Sequence, residues 1–148
     1  MTRAGASWAT AAFAALLVLL LVLPGLGRAP FDDPGEGQHA EIAREAWMSG
    51  DLLDLRLNGV RYFDKPPLLY WLIALDFHAW GVSEWAARLP SVLGAALAAA
   101  ATALLGARML NPAGGALAGA ALSSCALFLV FARYVRPETL SWPPYSSA

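Results

Sequence analysis

Six side chains carry the chemistry available to this chain: Asp33, Glu36, His39, Asp64, Lys65 and Arg88. Asp33 and Glu36 have the D-x-x-E spacing of a helix capping box, with Pro34 at the first helical position. The same carboxylates suit a general base that takes a proton from an acceptor hydroxyl, provided that one of them faces a substrate. His39 lies one turn after Glu36, where a packing or surface role competes with metal ligation. Lys65 sits in "YFDKPP", and the two prolines fix the backbone just after it and aim its ammonium away from the apolar run that follows. Two readings stay open for it. A lysine at a membrane boundary snorkels to the headgroups, and a lysine at that depth is also a good point-charge partner for a lipid phosphate. Arg88, in "SEWAARLPSVLG", reads either as an interfacial anchor or as the second arm around that phosphate. Asp64 is a charge neighbour of Lys65 or one contact of a metal site.

Composition places these residues at a membrane. The chain of 148 residues is 58% hydrophobic and 14% charged, against about 25% charged in soluble domains. A net charge of -1 excludes a polybasic nucleic-acid binder, and the one cysteine, Cys125, excludes an internal disulfide. Ten of the eleven acidic residues and six of the ten basic ones fall between Arg28 and Arg88. Outside that region three stretches lack ionisable side chains: Ala4 to Gly27, Leu89 to Ala107 and Met109 to Ala132. Each reaches the length of about 17–25 residues that spans a hydrocarbon core. The first reads as an anchor rather than a cleaved signal, because no clean small-x-small site precedes Arg28.

These signals predict an all-α integral membrane protein. Residues 1–27 form a first transmembrane helix, 28–88 a polar loop, 89–133 two further transmembrane helices, and 134–148 a tail. Asn111-Pro112 and Gly114-Gly115 mark the turn between the second and third spans. The Ala-rich run "GAALAAAATALLGA", Gly94 to Ala107, predicts close helix packing by small residues. Within the loop one helix is expected over about 34–49, stopped by Gly50, with Ala40, Ala43 and Trp47 on one face. A second is expected over about 66–82. Its interruption by Asp76 and His78, and its Tyr70, Trp71 and Trp80, suit a helix lying at the interface rather than crossing it.

The order "DPGEGQHAEIARE…RLNGVRYFDKPPLLYWL…GVSEWAARLPSVLG…ARYVRPETL" resembles the N-terminal part of the polyprenyl-phosphate-dependent glycosyltransferases of the aminoarabinose transferase and protein O-mannosyltransferase superfamily, multi-span GT-C enzymes. The resemblance runs from about Phe31 to Leu140. It implies that the two loop helices are juxtamembrane and that the 28–88 loop is external, at the outer face of a bacterial inner membrane, although the count of Lys and Arg around the spans favours the cytoplasm. It implies a polyprenyl-phosphate sugar donor and a lipid, glycan or protein acceptor. Lys65 and Arg88 would hold the donor phosphate, Asp64 would stand where the family usually has a Glu that contacts a divalent metal, and Glu36 would be the second member of an acidic pair.

The chain departs from the family pattern in three places. The acidic pair reads Gly35-Glu36, so Asp33 or Glu36 would have to serve as the catalytic carboxylate. Gln38 and His39 stand where Arg and Tyr are usual. The chain ends after "RPETL" with "SWPPYSSA", which resembles a frameshifted or prematurely terminated tail rather than a fourth span. Beside catalysis stand two other expectations: a membrane protein that binds polyprenyl phosphate without turnover, and an inactive truncation product.

Overall fold

The computed structural model describes residues 3–31 and 35–135. Asp33, and the tail from residue 136 onward, lie outside the described residues. The elements in order are α1 (Arg3–Val22), α2 (Gly35–Ser49), β1 (Arg56–Leu57), β2 (Val60–Arg61), α3 (Leu68–Trp80), α4 (Glu84–Met109), α5 (Pro112–Ser124) and α6 (Ala126–Ala132). The chain divides into two compact units, Met1–Gly25 with Val92–Arg133, and Leu26–Ser91 with Tyr134–Ala148. The fold is that of an all-α integral membrane protein, with one minimal hairpin added.

The helices α1 and α4 are each long and apolar enough to cross a membrane, and α4 belongs to the first unit from Val92 onward. The third expected span is broken: α5 and α6 together pass the same test but bend by 69° between Ser124 and Ala126. The local sequence explains the bend. Ser123 and Ser124 turn their hydroxyls back onto the carbonyls of Gly119 and Ala121, a competition with the helix ladder that bends helices. Cys125 then adopts extended backbone. At the other end Asn111 caps α5, its side chain accepting the Gly114 N–H at 2.9 Å, with Pro112 at the first helical position.

Small residues set how closely these helices approach. Ala11, Ala14, Val18 and Val22 of α1 and Ala99, Ala103 and Ala107 of α4 are buried, as are Gly115, Gly119 and Ser123 at four-residue spacing on α5. A Cβ on Gly119 would lie 2.7 Å from the Ala14 methyl and 2.9 Å from the Ala103 methyl, and one on Gly115 would lie 2.5 Å from the Ala103 carbonyl oxygen. With no hydrophobic drive between helices in lipid, this backbone proximity is the source of their association. Large side chains such as Leu16, Leu20, Leu97, Leu105 and Leu117 point outward.

The second unit is built on α2 against α3. Ile42, Ala43 and Ala46 pack on Leu69, Tyr70, Ile73 and Phe77, with Leu55, Ala86 and Ala87 closing the core. Trp47, expected on this inner face, is 37% exposed at its edge. Gly50 and Gly81, at φ 71° and 79°, stop α2 and α3 in the left-handed region that favours glycine. Between the helices Asn58 and Gly59, both at positive φ, turn β1 into β2, in the manner of the Asn-Gly type I′ turn. Glu45 of α2 accepts both turn N–H groups, at 2.6 and 3.2 Å. Asp54 offsets the paired Arg56 and Arg61 across the ladder.

Replacing Gly119 with Val should lower the melting temperature in detergent by several degrees, since overpacking costs about 1–3 kcal/mol. Gly94, whose added Cβ would meet nothing within 4 Å, should accept Ala without loss. Equal melting of the two variants would contradict the packing account.

Candidate functional site

Arg88 stands in the first turns of α4, whose start is set by Ser83: its hydroxyl accepts the Ala86 N–H at 3.2 Å. The two alanines before Arg88 are fully buried, which lets this turn sit deep in the second unit. Arg88 itself is 4% exposed, and every guanidinium N–H has an acceptor. Nε and Nη2 donate to the two Glu36 oxygens at 3.1 and 2.6 Å. Nη1 donates to the carbonyls of Leu26 and Ala29 at 2.7 and 2.8 Å, and Nη2 also to that of Pro30 at 3.2 Å. The Phe31 ring lies 5.4 Å from the guanidinium carbon, within cation–π range.

Glu36, 3% exposed, accepts in addition the Val135 N–H at 2.9 Å. Two residues expected to meet donor and acceptor are thus bound to each other. Five donors is the full complement of an arginine, so in this arrangement Arg88 has none left for a phosphate. The Glu36 carboxylate is turned to Arg88 and to the Val135 N–H.

The other sequence candidates gather around the turn before α3. Lys65 is half-buried and Asp64 exposed. The Tyr62 hydroxyl reaches Asp64 at 3.4 Å, the Tyr62 ring meets Tyr70 edge-on with centroids 6.0 Å apart, and the Tyr70 hydroxyl lies 3.0 Å from His39 Nδ1. Tyr70 is fully buried and His39 9% exposed. Burial pushes the Tyr62 phenol above its ordinary pKa, with a hydrogen bond from Tyr70 pulling it back, so Tyr62 stays protonated and able to donate. Tyr62 and Tyr70 were not singled out for this role by sequence, although both flank "FDKPP".

A divalent metal at Asp64 finds no support in the donor set. Among the described residues no three His, Cys, Asp or Glu side chains come together as ligands. An apolar cavity of about 460 Å³ between the end of α2 and α3 is lined by Trp47, Leu52, Leu68, Trp71 and Leu75, with His78 as its one ionisable group. None of the candidate residues lines it, so its chemistry is separate from theirs.

Breaking the buried pair should be costly. Arg88→Ala leaves the Glu36 carboxylate buried without its partner, worth about 3–5 kcal/mol, and a steep drop in detergent melting temperature is the expected reading. Arg88→Lys should fail to restore it, because an ammonium has three donors and no planar fork. A double Arg88→Met/Glu36→Met variant, with no lone charge, should melt above Arg88→Ala.

Comparison with known proteins agrees with this architecture. The family model for dolichyl-phosphate-mannose-protein mannosyltransferase matches residues 64–147. The undecaprenyl phosphate-alpha-4-amino-4-deoxy-L-arabinose arabinosyl transferase of Edwardsiella ictaluri is 37% identical over 72% of this chain and 19% of its own length. An uncharacterised protein of Aquifex aeolicus is 31% identical over 82% of this chain and 24% of its own. Crystal structures of ArnT from Cupriavidus metallidurans, apo and bound to undecaprenyl phosphate, superpose with a TM-score of 0.77 at 30% identity, over 82% of this chain and 23% of theirs. The chain therefore spans about a fifth to a quarter of the length of these relatives. With more than half of its length matched by the family model, and its helical order shared with a solved ArnT, the chain belongs to the dolichyl-phosphate-mannose-protein mannosyltransferase family of membrane glycosyltransferases.

Proposed function

We propose that this chain acts in the transfer of a sugar from a polyprenyl-phosphate carrier to a hydroxyl of a lipid, glycan or protein acceptor, at the outer face of the bacterial inner membrane. The observation that carries the reading is its likeness to the ArnT chain solved with undecaprenyl phosphate. Lys65 is the donor-phosphate contact. It precedes Pro66 and Pro67 at the mouth of α3, where a point charge meets a phosphate at headgroup depth.

In the transfer, the acceptor oxygen attacks the anomeric carbon while the bond from that carbon to the phosphate oxygen breaks. The phosphate leaves with the electron pair, and the ammonium of Lys65 stabilises the charge that develops on it. The acceptor proton passes to a carboxylate. Glu36 is held by Arg88 and the Val135 N–H, which leaves the role of base to Asp33. Arg88 works by holding Glu36 and the 26–30 carbonyls rather than the donor.

Binding tests the reading directly. Purified chain in detergent should retain radiolabelled undecaprenyl phosphate, and Lys65→Ala should weaken that retention about tenfold or more, as expected for loss of one charge-assisted contact of about 1.5–3 kcal/mol. Lys65→Arg should keep most of the affinity. A Lys65→Ala chain that binds as tightly as the unmodified one would remove Lys65 from donor recognition. Binding without sugar transfer would favour a carrier-binding role over catalysis.

A further inference from the structure

The third apolar run falls short of the membrane thickness that α1 and α4 can cross. Its first helix, α5, has 13 residues, so it rises about 20 Å from the Asn111 cap, against a hydrocarbon core of about 30 Å. The run then turns by 69° into α6. Contacts with α1 show the same shortfall. Gly119 of α5 faces Ala14, whose methyl would lie 2.7 Å from an added Cβ, and beyond α6 Arg133 Nη2 donates at 2.7 Å to the Leu21 carbonyl. A straight helix running beside α1 from Gly119 would have carried Arg133 well past Val22, where α1 ends. Two features of this end call for water. The N–H groups of Ala126, Leu127 and Phe128 open α6 without intrahelical acceptors, and Cys125 gives them no side-chain cap. Residues 124–127 are exposed on the outside of the unit, and unpaired backbone groups are not tolerated against lipid. Arg133 also brings a charge to the last turn of α1, and a guanidinium is costly there unless water reaches it.

We propose that water and lipid headgroups dip to the Ser124–Cys125 break from the membrane face that carries the 28–88 loop, so that α5 crosses most of the bilayer and α6 lies along the lowered surface. The face follows from Arg133, whose partner Leu21 stands in the last turn of α1, just before the chain enters that loop. The side chains of α6 suit such a position. Leu127, Val130 and Phe131 recur at the spacing of one helical face and are all exposed, and they give the helix an apolar side to lay on acyl chains, with Arg133 at its polar end. A bilayer thins over a short hydrophobic element at modest cost, whereas lipid against the bare N–H groups of the break is not tolerated. The interaction surface is therefore α6 with the break before it, and its partner is the headgroup layer of one leaflet. Nothing in this inference depends on sugar transfer.

Cys125 is the sole thiol of the chain and stands at the break, so the unmodified protein carries its own reporter. The full chain in membrane vesicles of one orientation is treated with a membrane-impermeant sulfonated maleimide, which reacts with a thiol that water allows to ionise. Three reference thiols are placed on a Cys125→Ser background at exposed positions: Val60→Cys in the loop, Leu110→Cys at the turn between α4 and α5, and Leu117→Cys midway along α5. Cys125 should be labelled from the same face as Val60→Cys and within about tenfold of its rate, while Leu117→Cys stays unlabelled and Leu110→Cys is labelled from the opposite face. After the vesicles are dissolved in dodecyl sulfate all four thiols should react. A Cys125 as inert in intact vesicles as Leu117→Cys, yet reactive once they are dissolved, would show lipid or protein covering the break and overturn the proposal. Labelling of Cys125 from the Leu110→Cys face would overturn it too, as would a Leu117→Cys that reacts as fast as Cys125, since water would then follow the whole of α5.

Discussion

A buried guanidinium holds the second unit together. Taking Arg88 out of water is costly, and the cost is offset only where each N–H finds an acceptor and the charge finds a counter-charge. Glu36 supplies the charge and two of the acceptors, and the carbonyls of Leu26, Ala29 and Pro30 supply the rest. Those partners come from the segment before α2, from the first turn of α2 and, through the Val135 N–H on Glu36, from the chain beyond α6. The 26–36 segment and Val135, both distant in sequence from Arg88, are thereby given one geometry around the start of α4. Removing any member exposes the others to an unsatisfied interior.

That constraint bears on function by subtraction. An arginine whose donors are all used, and a carboxylate bound to it, are poor groups for meeting a substrate that comes and goes. They are good groups for keeping a loop in register at a membrane surface. On the proposed reading the chemistry falls to groups at the edge of the unit, Lys65 above all; close to its turn Tyr70 reaches His39 of α2 and the Tyr62 ring meets Tyr70 edge-on. A rigid frame under a partly exposed cation suits the capture of an anionic headgroup.

In the first unit the controlling physics is different. There the interior is made of alanine methyls and glycine backbone, and closeness of approach replaces side-chain volume. Gly115 and Gly119 admit neighbours that any Cβ would displace. The broken third span has its origin in two serine hydroxyls that compete for helix carbonyls, a feature that polarity averaged along a run of residues does not register.

Much of this was legible in the residues alone. Charge-free runs long enough to cross a bilayer, the glycine stop at Gly50, the break at Asn111-Pro112 and the small-residue packing each depend on local composition or on neighbours within a few positions, whereas the stop at Gly81 falls inside the helix expected over about 66–82. The Asn58-Gly59 turn, not among the expected elements, is equally local: an Asn-Gly dipeptide between short extended runs is its signal. What sequence could not decide was which charged groups meet. Glu36 and Arg88 are 52 positions apart, and His39 and Tyr70 are 31 apart. Spacing along a chain carries no information about such pairs, since they form only when α2, α3 and the start of α4 pack. Only the tertiary structure joined Glu36 and Arg88 as one buried ion pair, because burial makes a charge seek its nearest complete set of partners.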